Sequence, residues 1–219
     1  MEEFINFAIG NLGHVAPILF AAVAAIAIAF LKFERLFITY AMPGRQAFLA
    51  KIRDLVVADK NQEAVALCDQ YKSKPVAIIV REGLVRSHLP EEMVVDGMNL
   101  VASEMAEKVG KLTGFLSMIA NVATLLGLFG TILGLIQSFK AVSFADPQQK
   151  AALLTQGIST AMNATVFGLG LAIPCMVLFS ILMNRTNHMM AEFDQTVLTT
   201  TDILRQRGYG VDLNKGNAA

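Results

Sequence analysis

The sequence predicts an all-α, polytopic membrane protein with three transmembrane helices, two of them long and extending into the cytoplasm. The chain is 54% hydrophobic with a mean hydropathy of +0.52. Residues 112–139 and 151–184 contain no Asp, Glu, Lys, Arg or His. Each exceeds the roughly 20 apolar residues that a spanning helix needs. Polar side chains inside both segments indicate contacts with other helices or with a wet cavity.

The amino-terminal region is predicted to hold two elements. Residues 1–14 are expected to form a short interfacial helix on the periplasmic side, because their apolar residues fall near one side of a helix. Residues 15–31 form the first transmembrane helix, which is just long enough to span. Glu2 and Glu3 precede it without any Lys or Arg, whereas a cleaved signal peptide would carry a basic leader.

The distribution of basic residues predicts the orientation. Sixteen of the eighteen Lys and Arg residues lie in 32–111 and 185–219, so both segments are expected to be cytoplasmic. The amino terminus and the loop 140–150 are then periplasmic. This orientation places the protein in a bacterial inner membrane, as a multi-pass protein with a cytoplasmic carboxyl terminus.

The cytoplasmic segment 32–111 is predicted to be helical, with breaks at Pro43-Gly44 and Lys74-Pro75. Pro90, followed by two glutamates, is typical of a helix start. We expect that helix to continue without interruption to about Phe139, a length of roughly 70 Å. The third span is expected to continue to about Arg207, and the last residues to be disordered.

Several kinds of chemistry are not expected. The formal net charge is zero, and no Lys/Arg-rich run indicates nucleic-acid binding. The three histidines and two cysteines have no metal-ligand spacing, so neither a metal nor a cofactor is predicted. The chain has no phosphate loop and no nucleophile–base pair, so we do not expect an enzyme. Three spans without a repeat also disfavour a solute transporter.

Hydroxyl side chains recur at an interval of seven in the second span: Ser117, Thr124, Thr131 and Ser138. Seven residues fall about 20° short of two turns, so these groups form a nearly straight stripe, with Asn121 beside it. Glycines lie on the other side and include a GxxxG motif: Gly127, Gly130 and Gly134. The stripes either hold helices together or include a row of hydroxyls that faces a lumen.

The third span carries two different faces. Small residues form a narrow stripe: Gly157, Ala161, Thr165, Gly168 and Ala172. Polar residues lie nearly opposite: Gln156, Thr160 and Asn163. An ideal helix places Thr160 and Thr165 about 140° apart, so both cannot point squarely at one lumen. One face is therefore expected to be an intersubunit contact. Pro174 is a candidate kink beyond both threonines.

Two ordered motifs carry a family resemblance. Residues 125–135, LLGLFGTILGL, resemble an LLGLxGTVxGM-type signature. Residues 157–169, GISTAMNATVFGL, followed by Ala172-Ile-Pro174, resemble a GIxEALxxTAxGLxxAIP-type signature. Glu34-Arg35 and Ser73-Lys-Pro75 fit the same pattern. The chain is similar to the proton-channel subunits of the ExbB/TolQ/MotA superfamily, and most similar to the ExbB and TolQ branch.

The resemblance implies a homopentamer whose second and third spans enclose the single spans of two copies of an ExbD/TolR-like partner. Proton flow would then drive motion of the partner inside the ring, for TonB-dependent import or Tol-type envelope function, with a TonB- or TolA-like protein as a further partner. By this resemblance, two threonines line the proton path, Thr131 and Thr165. The further candidates for that path are Thr160, Thr124, Asn121 and Asn163. The candidate packing residues are Gly127, Gly130, Gly134, Gly168 and Pro174.

One position departs from the family pattern. The family's glutamate in the third span is Thr160 here, so the last two spans lack any carboxylate. A hydroxyl can relay a proton along a water chain but cannot hold one near neutral pH. We therefore expect the intramembrane proton carrier to be an Asp of the partner.

Alternatives remain open for this departure. The chain is compatible with a divergent motor for motility or secretion, or with a sodium-driven one in which Thr160, Asn163 and Gln156 supply oxygen ligands. A non-conducting membrane scaffold is a further alternative. The sequence does not identify which machine is driven.

Overall fold

The computed structural model describes residues 12–209, with side chains described for residues 16–208. This part of the chain is helical and contains no strand. The predicted interfacial helix at 1–14 falls largely outside the described residues, as does the tail after Tyr209. The helices, in chain order, are α1 (Leu12–Glu34), α2 (Arg45–Val57), α3 (Asn61–Asp69), α4 (Pro75–Val85), α5 (Glu91–Gly110), α6 (Thr113–Ser143) and α7 (Lys150–Tyr209).

Three helical segments of the described chain are long and apolar enough to cross a membrane: Ala16–Thr39, Glu91–Ser143 and Lys150–Gly208. The mean hydropathy of their most apolar windows is 2.3, 2.1 and 2.4. The prediction of an all-α protein with three membrane-spanning helices is therefore confirmed. In the structure, α6 continues past Phe139 to Ser143, and α7 continues two residues past Arg207.

The chain divides into two compact units. The membrane unit comprises residues up to Lys32 together with Leu112–Leu182, and so contains α1, α6 and the first part of α7. The helical unit comprises Phe33–Lys111 and the residues from Met183 onward.

Small side chains build the core of the membrane unit. Its buried residues are Ala25 of α1, Leu116, Ile119, Ala120 and Ala123 of α6, and Ala172, Cys175 and Leu182 of α7. Four of these eight are alanines, which let helix backbones approach closely where large side chains would hold them apart. Many large apolar side chains point outward: Phe20 is 80% exposed and Phe129 is 56% exposed. This arrangement is the inverse of a water-soluble bundle and suits a lipid environment.

The helical unit has two hydrophobic cores. One joins α4, α5 and the last part of α7 through Ile79, Met98 and Phe193, each at most 1% exposed. The other joins α2, α3 and α4 to α7 through Ile52, Val80 and Ile203. A carboxylate of Glu91, at the start of α5, accepts a 2.7 Å hydrogen bond from the Arg205 Nε of α7. This bond holds the pKa of the Glu91 carboxyl below its usual value.

The predicted uninterrupted helix from Pro90 to Phe139 is wrong. Helix α5 begins at Glu91, directly after Pro90, but ends at Gly110, and α6 begins at Thr113. Between them Leu112 has a φ of 70°, in the left-handed region of backbone conformation that residues other than glycine rarely adopt. The apolar pattern continues through this position, so hydropathy alone does not reveal the break. Gly110 and Gly114 flank it and weaken the helix there.

A π-helical turn follows α1 and is held by a lysine from elsewhere in the helical unit. The turn spans Arg35–Thr39, and its Leu36 is fully buried. The Lys74 ammonium donates hydrogen bonds to the carbonyls of Ile38 (3.0 Å), Thr39 (3.0 Å) and Ala41 (2.8 Å). These carbonyls lie where helical bonding ends, so the three donors of the ammonium satisfy groups that would otherwise lack partners.

Replacing Lys74 with Met tests this role. Lys74→Met keeps the length of the side chain but removes all three donors, so we expect a loss of about 1–2 kcal/mol of unfolding free energy. Lys72→Met is the matched control, because Lys72 is exposed, and its effect should stay within about 0.5 kcal/mol. Denaturant titration of the purified protein, followed by far-UV circular dichroism, measures both. Equal effects of the two variants would contradict this role of Lys74.

Candidate functional site: the hydroxyl-bearing helix pair

Glycine and alanine residues bring α6 and α7 into close contact. A Cβ added to Gly130 would lie 2.7 Å from the Ala164 Cβ, and one added to Gly134 would lie 2.8 Å from the Ala161 Cβ. A Cβ added to Gly168 would lie 2.7 Å from the Ala123 carbonyl oxygen. Real Cβ atoms essentially never approach other atoms this closely. These positions therefore accept only glycine unless the helices move apart.

These contacts fix how the two helices are aligned. Residue numbers rise along α6 as they fall along α7, with Gly134 opposite Ala161 and Gly127 opposite Gly168. The helices are therefore antiparallel, and Thr131 lies level with Asn163 and Ala164. At 1.5 Å per residue, Thr131 and Thr165 lie within about 3 Å of each other along the helix axes.

Helix α1 shares a hydrophobic cluster with both members of this pair, which indicates that it packs on one flank. Ile119 of α6 belongs to the cluster that contains Ala25 of α1, and Leu171 of α7 packs against that cluster. At 100° per residue, Ile119 lies about 80° to one side of Gly127, and Leu171 lies about 60° to one side of Gly168. We call this side, marked by Ile119 and Leu171, the α1 flank.

The two family threonines lie on the other side of the pair. Thr131 is about 40° from Gly127, in the direction opposite to Ile119, and Thr165 is about 60° from Gly168, in the direction opposite to Leu171. Because one helix covers the residues around Ile119 and Leu171, Thr131 and Thr165 share the flank that α1 leaves uncovered. We call this the open flank. Both threonines are half-buried, and their neighbours are exposed: Leu128 is 55% exposed and Met162 is 64% exposed.

Two other predicted pathway residues lie on the open flank. Thr124 is about 60° from Gly127 on the Thr131 side, and Asn121 is about 120° from Gly127 on that side. Both are exposed. Four of the six predicted pathway residues are thus brought to one side of the helix pair: Asn121, Thr124, Thr131 and Thr165.

The remaining two candidates are directed elsewhere. Thr160 lies about 80° from Gly168 on the Leu171 side, and Asn163 lies about 140° away in the same direction. Both are half-buried, and the Thr160 hydroxyl donates a 3.0 Å hydrogen bond to the Gln156 carbonyl of its own helix. The small-residue stripe of α7 therefore faces α6 within the chain, and Thr160 and Thr165 flank that contact on opposite sides.

The hydroxyls of three open-flank threonines donate their protons to backbone carbonyls. Thr131 Oγ1 donates to the Leu128 carbonyl at 2.6 Å, and Thr124 Oγ1 donates to the Ala120 carbonyl at 3.1 Å. Thr165 Oγ1 crosses the pair and donates to the Gly127 carbonyl of α6 at 3.3 Å. Each oxygen keeps lone pairs that can accept a hydrogen bond from water. The flank can therefore bind and orient water, but it holds no group that stays charged.

The nearly straight stripe of hydroxyls predicted at intervals of seven ends inside the α6–α7 contact. Ser138 is buried at 5% exposure and donates a 2.7 Å hydrogen bond to the Gly134 carbonyl. A Cβ added to Gly157 would coincide with the Ser138 side chain, so Ser138 lies between the helices. The cause is the drift of about 20° per seven residues, which accumulates from Ser117 until the last hydroxyl turns into the α6–α7 contact.

The predicted packing residues take different positions. Gly127, Gly130 and Gly168 are buried in the α6–α7 contact, and Gly134 is partly buried there. Pro174 is exposed in the single chain and makes no part of this contact. Gly157, four residues before Ala161 in the small-residue stripe, is a further packing residue of this contact.

Among the described side chains, no three His, Cys, Asp or Glu residues converge as metal ligands would. The fold and the site together define a membrane protein whose close helix pair presents a row of hydroxyls on one flank.

Comparison with known proteins identifies the class. The model of the MotA/TolQ/ExbB proton channel family matches residues 71–195, more than half of the chain. The chain therefore belongs to the MotA/TolQ/ExbB proton channel family, which confirms the predicted resemblance. The matched region includes α6, the first part of α7 and much of the helical unit.

Two curated relatives come from distant organisms. The chain is 30% identical over 129 residues to the Tol-Pal system protein TolQ of Haemophilus influenzae, covering 58% of this chain and 56% of that protein. It is 34% identical over 124 residues to a putative biopolymer transport protein ExbB homolog of Methanothermobacter thermautotrophicus, covering 56% of this chain and 43% of that protein. The chain thus spans about half the length of the relatives it matches.

A solved structure shares the fold. The structure of C. jejuni MotAB aligns with a TM-score of 0.62 over 90% of this chain and 77% of that chain, at 18% sequence identity. At that identity the likeness concerns the arrangement of helices alone.

Two neighbouring glycines test the α6–α7 contact. We expect Gly168→Ala to destabilise the protein by about 1–3 kcal/mol, because the added methyl meets backbone atoms that cannot rotate away. Gly170→Ala adds the same methyl two residues later, where no atom lies within 4 Å, and should be neutral or stabilising by about 0.5–1 kcal/mol. Thermal unfolding in detergent compares them. If Gly170→Ala were the more damaging variant, the helix alignment would be wrong.

Proposed function

We propose that this chain is the channel-forming stator subunit of an inner-membrane machine that converts the proton-motive force into mechanical work. The observation that carries the proposal is the common flank of Asn121, Thr124, Thr131 and Thr165, which α1 leaves uncovered. Membership of the proton channel family supports proton conduction as the activity, and the open flank would be the surface along which the protons pass.

The proposed assembly is a homopentamer in which the open flanks of five helix pairs face a common lumen. An exposed row of hydroxyls and an amide would be costly against acyl chains but favourable against water or a polar partner helix. The α1 flank then faces away from the lumen. The amino terminus lies in the periplasm and the carboxyl terminus in the cytoplasm, as the distribution of Lys and Arg favours.

The proposed occupant of the lumen is an ExbD/TolR-like protein with a single span that carries an Asp. Residues 112–139 and 151–184 have no carboxylate or imidazole that could take up and release a proton near neutral pH, and Thr160 stands where the family pattern has a glutamate. The partner's Asp would therefore carry the proton, and the open flank would hold the water chain that delivers and removes it. A further TonB- or TolA-like protein would receive the work. Relatives of this chain bear the names Tol-Pal system protein and biopolymer transport protein, which fits either machine.

Threonine-to-valine substitutions test which flank conducts. Thr131→Val and Thr165→Val keep the shape but remove the hydroxyl, so each should lower proton flux about tenfold, the factor for one lost hydrogen bond of about 1.4 kcal/mol. Thr160→Val makes the same chemical change on the α1 flank and should leave flux within about twofold of the wild type. The measurement is acidification of vesicles that contain the chain and its partner. Undiminished flux in Thr131→Val and Thr165→Val would show that the open flank is not the conducting wall, and an absence of flux in the wild type would favour a non-conducting scaffold.

Removing the partner's carboxylate tests where the proton is held. The Asp→Asn substitution in the partner's span should abolish flux, because no other carboxylate lies in the lumen. The matched control places Glu at that position, which keeps a carboxylate and should retain part of the flux. Full flux in the Asn variant would show that this chain conducts by hydroxyls and water alone.

A further inference from the structure

An arginine and two phenylalanines of the helical unit form a cluster outside the helix pair. The Arg185 guanidinium of α7 lies over the Phe37 ring, with its Cζ 5.8 Å from the ring centroid. Phe33 and Phe37 stack with their centroids 4.6 Å apart. A guanidinium at this distance from an aromatic face is held by a cation–π interaction, which orients it without using its N–H donors.

The donors of Arg185 are not used within the described part of the chain. Its Nε is buried and has no hydrogen-bond partner among residues 16–208, and no carboxylate of those residues forms an ion pair with it. A buried donor without an acceptor is costly, and more so when the group is charged. The guanidinium is therefore oriented and desolvated at Nε, yet it lacks the anion that such a group normally binds.

The backbone beside Arg185 is fixed in place. Phe37 belongs to the π-helical turn Arg35–Thr39, whose Leu36 is fully buried and whose last carbonyls accept hydrogen bonds from Lys74. π-helical turns are rare and occur frequently at functional sites. The backbone that carries the Phe37 ring is thus fixed by the buried Leu36 before it and by the Lys74 hydrogen bonds to the carbonyls after it.

The cluster lies where two membrane-spanning segments end. Arg185 is the first charged residue after the uncharged segment 151–184, and the helical segment that contains the first span continues past Lys32, Glu34 and Arg35 to Thr39. Phe33 is 56% exposed and Ile38 is 65% exposed, so apolar surface adjoins the guanidinium. At the end of a membrane-spanning segment, a cation next to exposed aromatic and aliphatic side chains can contact both the phosphate and the upper part of the acyl chains of one lipid.

We propose that Arg185 binds the phosphodiester of an anionic phospholipid, with Phe33 and Phe37 against its acyl chains. The planar guanidinium matches two phosphate oxygens through its two terminal Nη groups, which are not buried with Nε and make no hydrogen bond to the described residues. A net negative headgroup is preferred over a zwitterionic one because the latter carries its own ammonium to compete for the phosphate. This proposal does not depend on proton conduction or on which side of the membrane the cluster occupies.

The test uses the full-length protein purified in detergent and titrated with phosphatidylglycerol, while its thermal unfolding is followed by circular dichroism. Bound lipid should raise the midpoint, and Arg185→Gln should raise the apparent Kd for phosphatidylglycerol about tenfold. Lys51→Gln removes one positive charge from an exposed site on α2 and should leave that Kd unchanged. If Arg185→Gln fails to fold, Phe37→Leu replaces it, since it removes the ring that orients the guanidinium while keeping an apolar side chain.

Three results would overturn the proposal. The first is an equal rise of the midpoint with phosphatidylcholine, which would show general solvation by lipid. The second is an equal rise with inorganic phosphate, which would show an anion site without a lipid requirement. The third is an unchanged Kd for phosphatidylglycerol in Arg185→Gln or, where that variant does not fold, in Phe37→Leu.

Discussion

The absence of side chains at Gly127 and Gly168 is the constraint on which the membrane unit depends. A Cβ at Gly168 would lie 2.8 Å from the Gly127 Cα, so the two backbones already approach as closely as atoms allow. In a bilayer, burying apolar area gives little drive for association, because acyl chains are as apolar as leucine. Close backbone contact supplies dispersion energy instead, and it is possible only where the residues are small.

The alignment of the hydroxyls follows from that contact. Once Gly134 lies against Ala161 and Gly127 against Gly168, the rotation of both helices is fixed, and with it the direction of every threonine. Thr131 and Thr165 reach one flank because each lies next to the small-residue contact on the side away from α1. The same rotation that places Thr165 there directs Thr160 to the opposite flank. A residue five positions away on an ideal helix cannot share its direction.

Much of the fold could be predicted from sequence, because long uncharged segments have few stable alternatives to membrane-spanning helices. The helix start at Glu91 was also predictable, since proline followed by acids fits a helix amino terminus. The break at Leu112 was not, because no proline marks it and a leucine with positive φ is rare enough that a pattern gives no reason to expect it.

The candidate site was predictable residue by residue, but its arrangement was not. The spacing of seven predicts both the nearly straight stripe and its drift of 20° per interval, but that this drift buries Ser138 becomes visible only when the position of the partner helix is known. The sequence likewise left open which face of the third span would line a lumen. That question depends on where α1 packs, and nothing in the local pattern of α7 encodes it. The sequence does not indicate a site at Arg185, because an arginine after a span usually only marks the membrane boundary.

The hydrogen bond between the Thr165 hydroxyl and the Gly127 carbonyl would respond to separation of the two helices but not to their compression. At 3.3 Å it is already near the upper limit of such bonds, so a widening of well under an ångström would release both groups to water. Compression has no comparable range, because the glycine backbones beside it are in contact. Any force transmitted along these helices can therefore hydrate this point by separating them but cannot dry it further by pressing them together.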